Sequence, residues 1–150
     1  MRKVEDVKVP SWPGGRDGGK IFRITEMPAA RAEKWAWRLF VAVKGTTAEV
    51  PPEVERLGMV GVLIRGLNSM LAADVDFARI EPLLDEMFEC VQIVRDPRHP
   101  DVVTPLVSDD DVEDVMTRGW LRGEIIRVHT GFSVADALST LVTAIKAPKD

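Results

Sequence analysis

The stretch spanning residues 20–43, KIFRITEMPAARAEKWAWRLFVAV, constrains this chain more than any other. Its first part, Ile21–Thr25, has the β-branched and aromatic content of a short strand. Pro28 then suits the first turn of a helix, because its missing N–H is not needed there and its φ is already helical. The helix is expected to run to about Lys44, with Gly45 as its C-terminal cap. At 100° per residue, Trp35, Ala36, Leu39, Phe40, Ala42 and Val43 share one face. Trp37 and Val41 lie on the opposite side, beside Lys34 and Arg38. A helix that buries one stripe has no local use for a tryptophan on its back.

The rest of the chain is built around that unit. Residues 4–9 alternate irregularly and predict an edge strand closed by Pro10. The segment SWPGGRDGGK carries four glycines and a proline, so the two strands form a hairpin with a long, mobile tip. Trp12, within that tip, is expected to fold back onto the sheet. After a linker, Pro52 opens a second helix reaching about Leu71, with an apolar arc wide enough for a central position. Asp76 caps a third helix over residues 77–91, with Phe77, Leu84 and Phe88 in the core and a kink or restart at Pro82. Residues 91–95 and 102–106 form a second hairpin around a proline-bearing turn.

The acidic run from Asp109 to Asp114 suits the positive end of a helix dipole. In that helix Val112, Val115, Met116, Gly119, Gly123 and Ile126 line one face, and Leu121, Ile125 and Val128 line the other. Gly119 and Gly123 would admit a neighbouring helix closely. A break at Gly131 and a Ser133–Asp136 capping box introduce a final helix. The expected fold is therefore α+β and mainly helical, in a single domain over residues 1–150. It comprises an N-terminal β-hairpin, three helices, a second short hairpin and two C-terminal helices.

Composition narrows the chemistry. A net charge of −4 gives no concentrated basic face for nucleic acid. The one cysteine, Cys90, excludes an internal disulfide framework and suits a reducing cytoplasm. The opening MRKVEDVKV has no apolar segment of a signal peptide, and no run is long enough for a membrane span. Residues 14–20, GGRDGGK, satisfy G-x-x-x-x-G-K, but Ile21 stands where a phosphate loop needs Ser or Thr, and a strand follows where a helix is required. His99 and His129 lie 30 residues apart and Cys90 has no partner at metal-ligand spacing, so no metal or cofactor is expected. His129 near Ser133 lacks a nucleophile-elbow motif. A helix-terminal histidine is the simpler reading, and no catalytic residue is assigned.

Three segments together resemble a group of phage tail assembly chaperones: RDGGKIFRITEMPAARAEKWAWRLF, EPLLDEMFECVQIVRDPRHPDVVTPLVSDDDVEDVMTRGWLRGEI and HTGF. The resemblance rests on Gly19-Lys20, on Glu26-Met27-Pro28-Ala29 and on Ala32-Glu33-Lys34-Trp35-Ala36, and covers residues 16–132. These motifs are structural, and no site residue transfers with them. The resemblance implies a non-enzymatic protein of the host cytoplasm. It would bind the tape measure protein, keep its apolar helices soluble and help tail-tube subunits assemble around it. A stable structural component of the tail or virion is the alternative. Neither reading calls for a membrane, and self-association is compatible with both.

The sequence leaves two accounts of the double-faced helices. Either Trp37, Val41, Leu121, Ile125 and Val128 form a partner surface, or the same chain covers them. The first account makes these five residues the expected partner surface.

Overall fold

Ile21–Thr25 forms the strand the sequence predicts, and it is the second of four in an antiparallel sheet. The computed structural model describes residues 1–43 and 76–131, together with Asp136, Ser139 and Thr143. In these residues the elements are β1 (Val4–Lys8), β2 (Ile21–Thr25), α1 (Ala29–Val43), α2 (Phe77–Phe88), β3 (Val91–Val94), β4 (Val103–Pro105), a 3-10 turn (Asp109–Asp111) and α3 (Val115–Thr130). The fold is thus mixed α+β, with a four-stranded sheet and three α-helices among the described residues. The helix expected from Pro52 to Leu71 and the cap at Gly45 lie outside them. So does the final helix, apart from Asp136, Ser139 and Thr143, which are helical.

The chain divides into two compact units, Met1–Met27 with Glu86–Gly131, and Pro28–Asp85 with Phe132–Asp150. The first contains the sheet. Both expected hairpins are present, and the sequence does not reveal that they join. β2 pairs with β3, giving the order β1-β2-β3-β4. The register puts Val7 opposite Phe22 and Phe22 opposite Ile93, and all three are buried. On the other face Asp6, Arg23 and Gln92 are aligned, with Arg23 Nε 2.7 Å from Asp6 Oδ1. This alternation of apolar and polar faces is the period-2 pattern of a sheet covered on one side.

The cover is α3, which packs on β1 and β2. Thr117, Leu121, Ile125 and Val128 are its buried stripe, at the i, i+4, i+8, i+11 spacing of one helical face. Val115 and Met116, expected inside, are exposed. The helix is therefore rotated relative to the expectation, and it starts at Val115 rather than within the acidic run. A Cβ at Gly119 would meet nothing within 4 Å, so this glycine is not the site of close helix approach that its spacing suggested. Gly131 ends the helix at φ 76, donating its N–H to the Arg127 carbonyl at 2.8 Å, a left-handed position that favours glycine.

His129 is half-buried and structural. Its Nε2 accepts from the Met27 N–H at 2.8 Å, and Nδ1 lies 2.7 Å from the Ile125 carbonyl, which fixes the Nδ1–H tautomer. The bond ties the exit of β2 to the last turn of α3. His129→Ala leaves the Met27 N–H without its acceptor and is expected to lower stability by about 1–2 kcal/mol in chemical denaturation.

In the second unit α1 and α2 pack through Leu39, Ile80 and Leu83, with Trp35, Ala42 and Leu84 against them. Trp35 Nε1 donates to the Leu83 carbonyl at 3.0 Å. Asp76 caps α2 through the Ala78 N–H, and Pro82 sits inside the helix. The core face of α2 differs from the expected one: Phe77 is exposed, Leu84 and Phe88 are half-buried, and Ile80, Leu83 and Met87 are the buried residues. Phe88, in the first unit, lies beneath the guanidinium groups of Arg118 and Arg122, at 4.3 and 5.0 Å from its ring centroid.

Candidate functional site

Two places collect unusual residues, the Gly-rich loop and the outer face of α1. Hydrogen bonds hold the loop at its base and at its centre. Val9 and Lys20 pair across its base, and Gly19 sits at φ 86, where a side chain would be strained. Trp12, expected to fold onto the sheet, is half-buried and lies edge-on to Trp120 of α3, with ring centroids 6.2 Å apart. At its centre, the buried Asp17 carboxylate accepts from the backbone N–H groups of Glu113 and Asp114 at 2.9–3.1 Å. The Asp114 carboxylate returns the arrangement, accepting from the Arg16 and Asp17 N–H groups at 2.6 and 3.1 Å. Lys20 Nζ closes the clasp on Asp17 Oδ1 at 2.7 Å, the Asp110 carbonyl at 2.8 Å and Glu113 Oε1 at 3.1 Å.

The electrostatics follow from this wiring. Burial pushes the Asp17 carboxyl up, but the Lys20 ammonium and the N–H groups of Asp114 and Glu113 outweigh it, and the carboxyl is held at about 2. Burial likewise raises the Asp111 carboxyl. The Val107 and Ser108 N–H groups and Arg95 more than compensate, and hold it below its ordinary range. Asp111 and Ser108 form a capping box on the 3-10 turn, so part of the acidic run serves this turn instead of the first turn of α3. Lys20 is directed into these carboxylates, with none of the geometry of a lysine that reaches a nucleotide phosphate. The clasp is architecture: it ties the hairpin loop to the segment that leads into α3.

The outer face of α1 is different. Ala30, Glu33, Lys34, Trp37, Arg38 and Val41 are all exposed, at the spacing of a single helical stripe. Trp37 and Val41 are each 62% exposed. The Trp37 ring is braced edge-on by Phe40, with centroids 5.9 Å apart. Of the partner residues expected from the sequence, these two are accessible. Leu121, Ile125 and Val128 are 0–2% exposed, and their assignment to a partner surface is corrected: they are the inner face of α3 against the sheet. The alternation of apolar residues on both sides of that helix carried no information about which side is covered. Phe77, also 61% exposed, escaped the sequence reading because it continues the apolar stripe of α2.

Among the described residues, no group of three or more His, Cys, Asp and Glu side chains is placed to hold a metal ion, and no helix is long and apolar enough to cross a membrane. Comparison with protein-family models, curated proteins and solved structures gives no match for this chain.

Proposed function

We propose that this protein is a phage tail assembly chaperone. In this reading it carries no reaction of its own, works in the host cytoplasm and holds the tape measure protein while tail-tube subunits assemble. The observation that carries it is the stripe on α1, where Trp37 and Val41 face solvent on a helix whose other side already packs on α2. Two large apolar side chains held outward on a well-packed helix are suited to receiving an apolar helix face. The segments resembling tail assembly chaperones run through this same helix, and the mainly helical balance expected of the whole chain belongs to the same reading.

The test is co-expression with the tape measure protein of the same genome, followed by co-purification and solubility measurements. The chain is expected to keep the tape measure protein soluble. Trp37→Ala should weaken the complex by about 2 kcal/mol, roughly thirtyfold, while leaving the melting temperature nearly unchanged. A tape measure protein that stays insoluble and unbound beside the folded wild-type chain would refute the proposal.

A further inference from the structure

The second unit carries two exposed helical stripes of opposite character. On α1, Lys34 and Arg38 stand four residues apart and flank Trp37 and Val41. On α2, Glu81 and Asp85 stand four residues apart and follow Phe77. All of these side chains are exposed, and both helices are fixed against each other by Leu39, Ile80, Leu83 and the Trp35–Leu83 hydrogen bond. Beside its apolar residues the α1 stripe carries two bases, Lys34 and Arg38, and one acid, Glu33, whereas the α2 stripe carries two acids, Glu81 and Asp85.

From this complementarity we infer that the protein self-associates, with α1 of one copy seated antiparallel on α2 of a second copy. The antiparallel register puts Lys34 opposite Asp85 and Arg38 opposite Glu81, since each pair spans the same distance of about 6 Å along its helix axis. The same register carries Val41 and Trp37 toward Phe77. A parallel arrangement matches the charges but moves Phe77 toward Ala30 and away from the apolar pair. Antiparallel neighbours also align their helix dipoles favourably. The apolar side chains supply most of the affinity, and the charges select partner and register. The contact engages different surfaces on the two copies, so a two-fold dimer uses it twice and an open arrangement repeats it along a chain. It occupies the α1 face assigned above to the client, so client and second copy compete. The inference does not depend on the phage-tail reading and would stand if the tape measure protein failed to bind.

Sedimentation velocity of the full chain, over roughly a hundredfold range of concentration, tests it. The wild type should shift reversibly from monomer to larger species, and the shift should weaken between about 50 mM and about 500 mM sodium chloride. The double variants Lys34→Glu/Arg38→Glu and Glu81→Lys/Asp85→Lys should each lose association by roughly tenfold or more, with unchanged circular dichroism and melting. Mixing the two variants re-creates opposite charges at every contact and should restore mixed assembly. Trp37→Ala and Phe77→Ala should each weaken it as well. A wild type that stays monomeric throughout overturns the inference. So does association that survives both reversals, or two folded variants that fail to restore assembly when mixed.

Discussion

Asp17→Ala should be among the most damaging single substitutions in this protein, lowering stability by about 3–5 kcal/mol, the range for breaking a buried, hydrogen-bonded ion pair from one side. The Asp17 side chain is fully buried and meets two backbone N–H groups and the Lys20 ammonium. Without it those donors remain in place with no acceptor, and the start of α3 loses its attachment to the hairpin. Asp17→Asn keeps the shape but removes the charge, and turns a donor toward donors. It should recover only part of the loss. Chemical denaturation of the three proteins at neutral pH measures this directly.

The same carboxylate predicts an acid limb. Its folded-state value of about 2 lies below the ordinary 3.8, so the unfolded chain binds the proton more tightly. The stabilisation is then complete above about pH 4 and is lost as pH falls from there toward 2. Asp111, also held low, acts in the same direction. Stability measured against pH should fall through this window in the wild type, and the fall should be shallower in Asp17→Asn. A slope unchanged by the substitution would mean that Asp17 is not held as the clasp geometry implies.

The second large effect separates the two groups of residues that the sequence treats alike. Ile125→Ala should cost about 2–5 kcal/mol, because Ile125 lies on the sheet side of α3 at 2% exposure and its loss leaves a cavity. Trp37→Ala, from a side chain 62% exposed, should change stability by about 0.5 kcal/mol or less. Thermal unfolding of both variants side by side gives the contrast. Equal losses would mean that the outer face of α1 is covered by the chain after all, and the candidate site would be lost with it.

Much of the local structure was legible in residues 20–43. The strand at Ile21–Thr25, the helix after Pro28 and the inward face at Ala36 and Leu39 all follow from near-neighbour chemistry: a proline's fixed φ, β-branching and a 3.6-residue period. The outward position of Trp37 and Val41 follows from the same period, since that helix has one continuous apolar stripe and only two large residues off it. Both hairpins were readable because their turns announce themselves through glycine and proline.

What only the tertiary structure decided lies where two local answers were equally good. On α3, Leu121, Ile125 and Val128 oppose Val115 and Met116, and hydrophobicity alone cannot say which set goes inside. Packing on β1 and β2 buries Leu121, Ile125 and Val128, and Asp17, by holding the Glu113 and Asp114 N–H groups about 96 residues along the chain, anchors the segment that leads into the helix. The joining of the two hairpins through β2 and β3 is likewise a long-range pairing, invisible to any window of neighbours. Local sequence determines which elements form, because those energies are set within a turn or two. Their rotation and pairing belong to contacts between residues far apart in the chain.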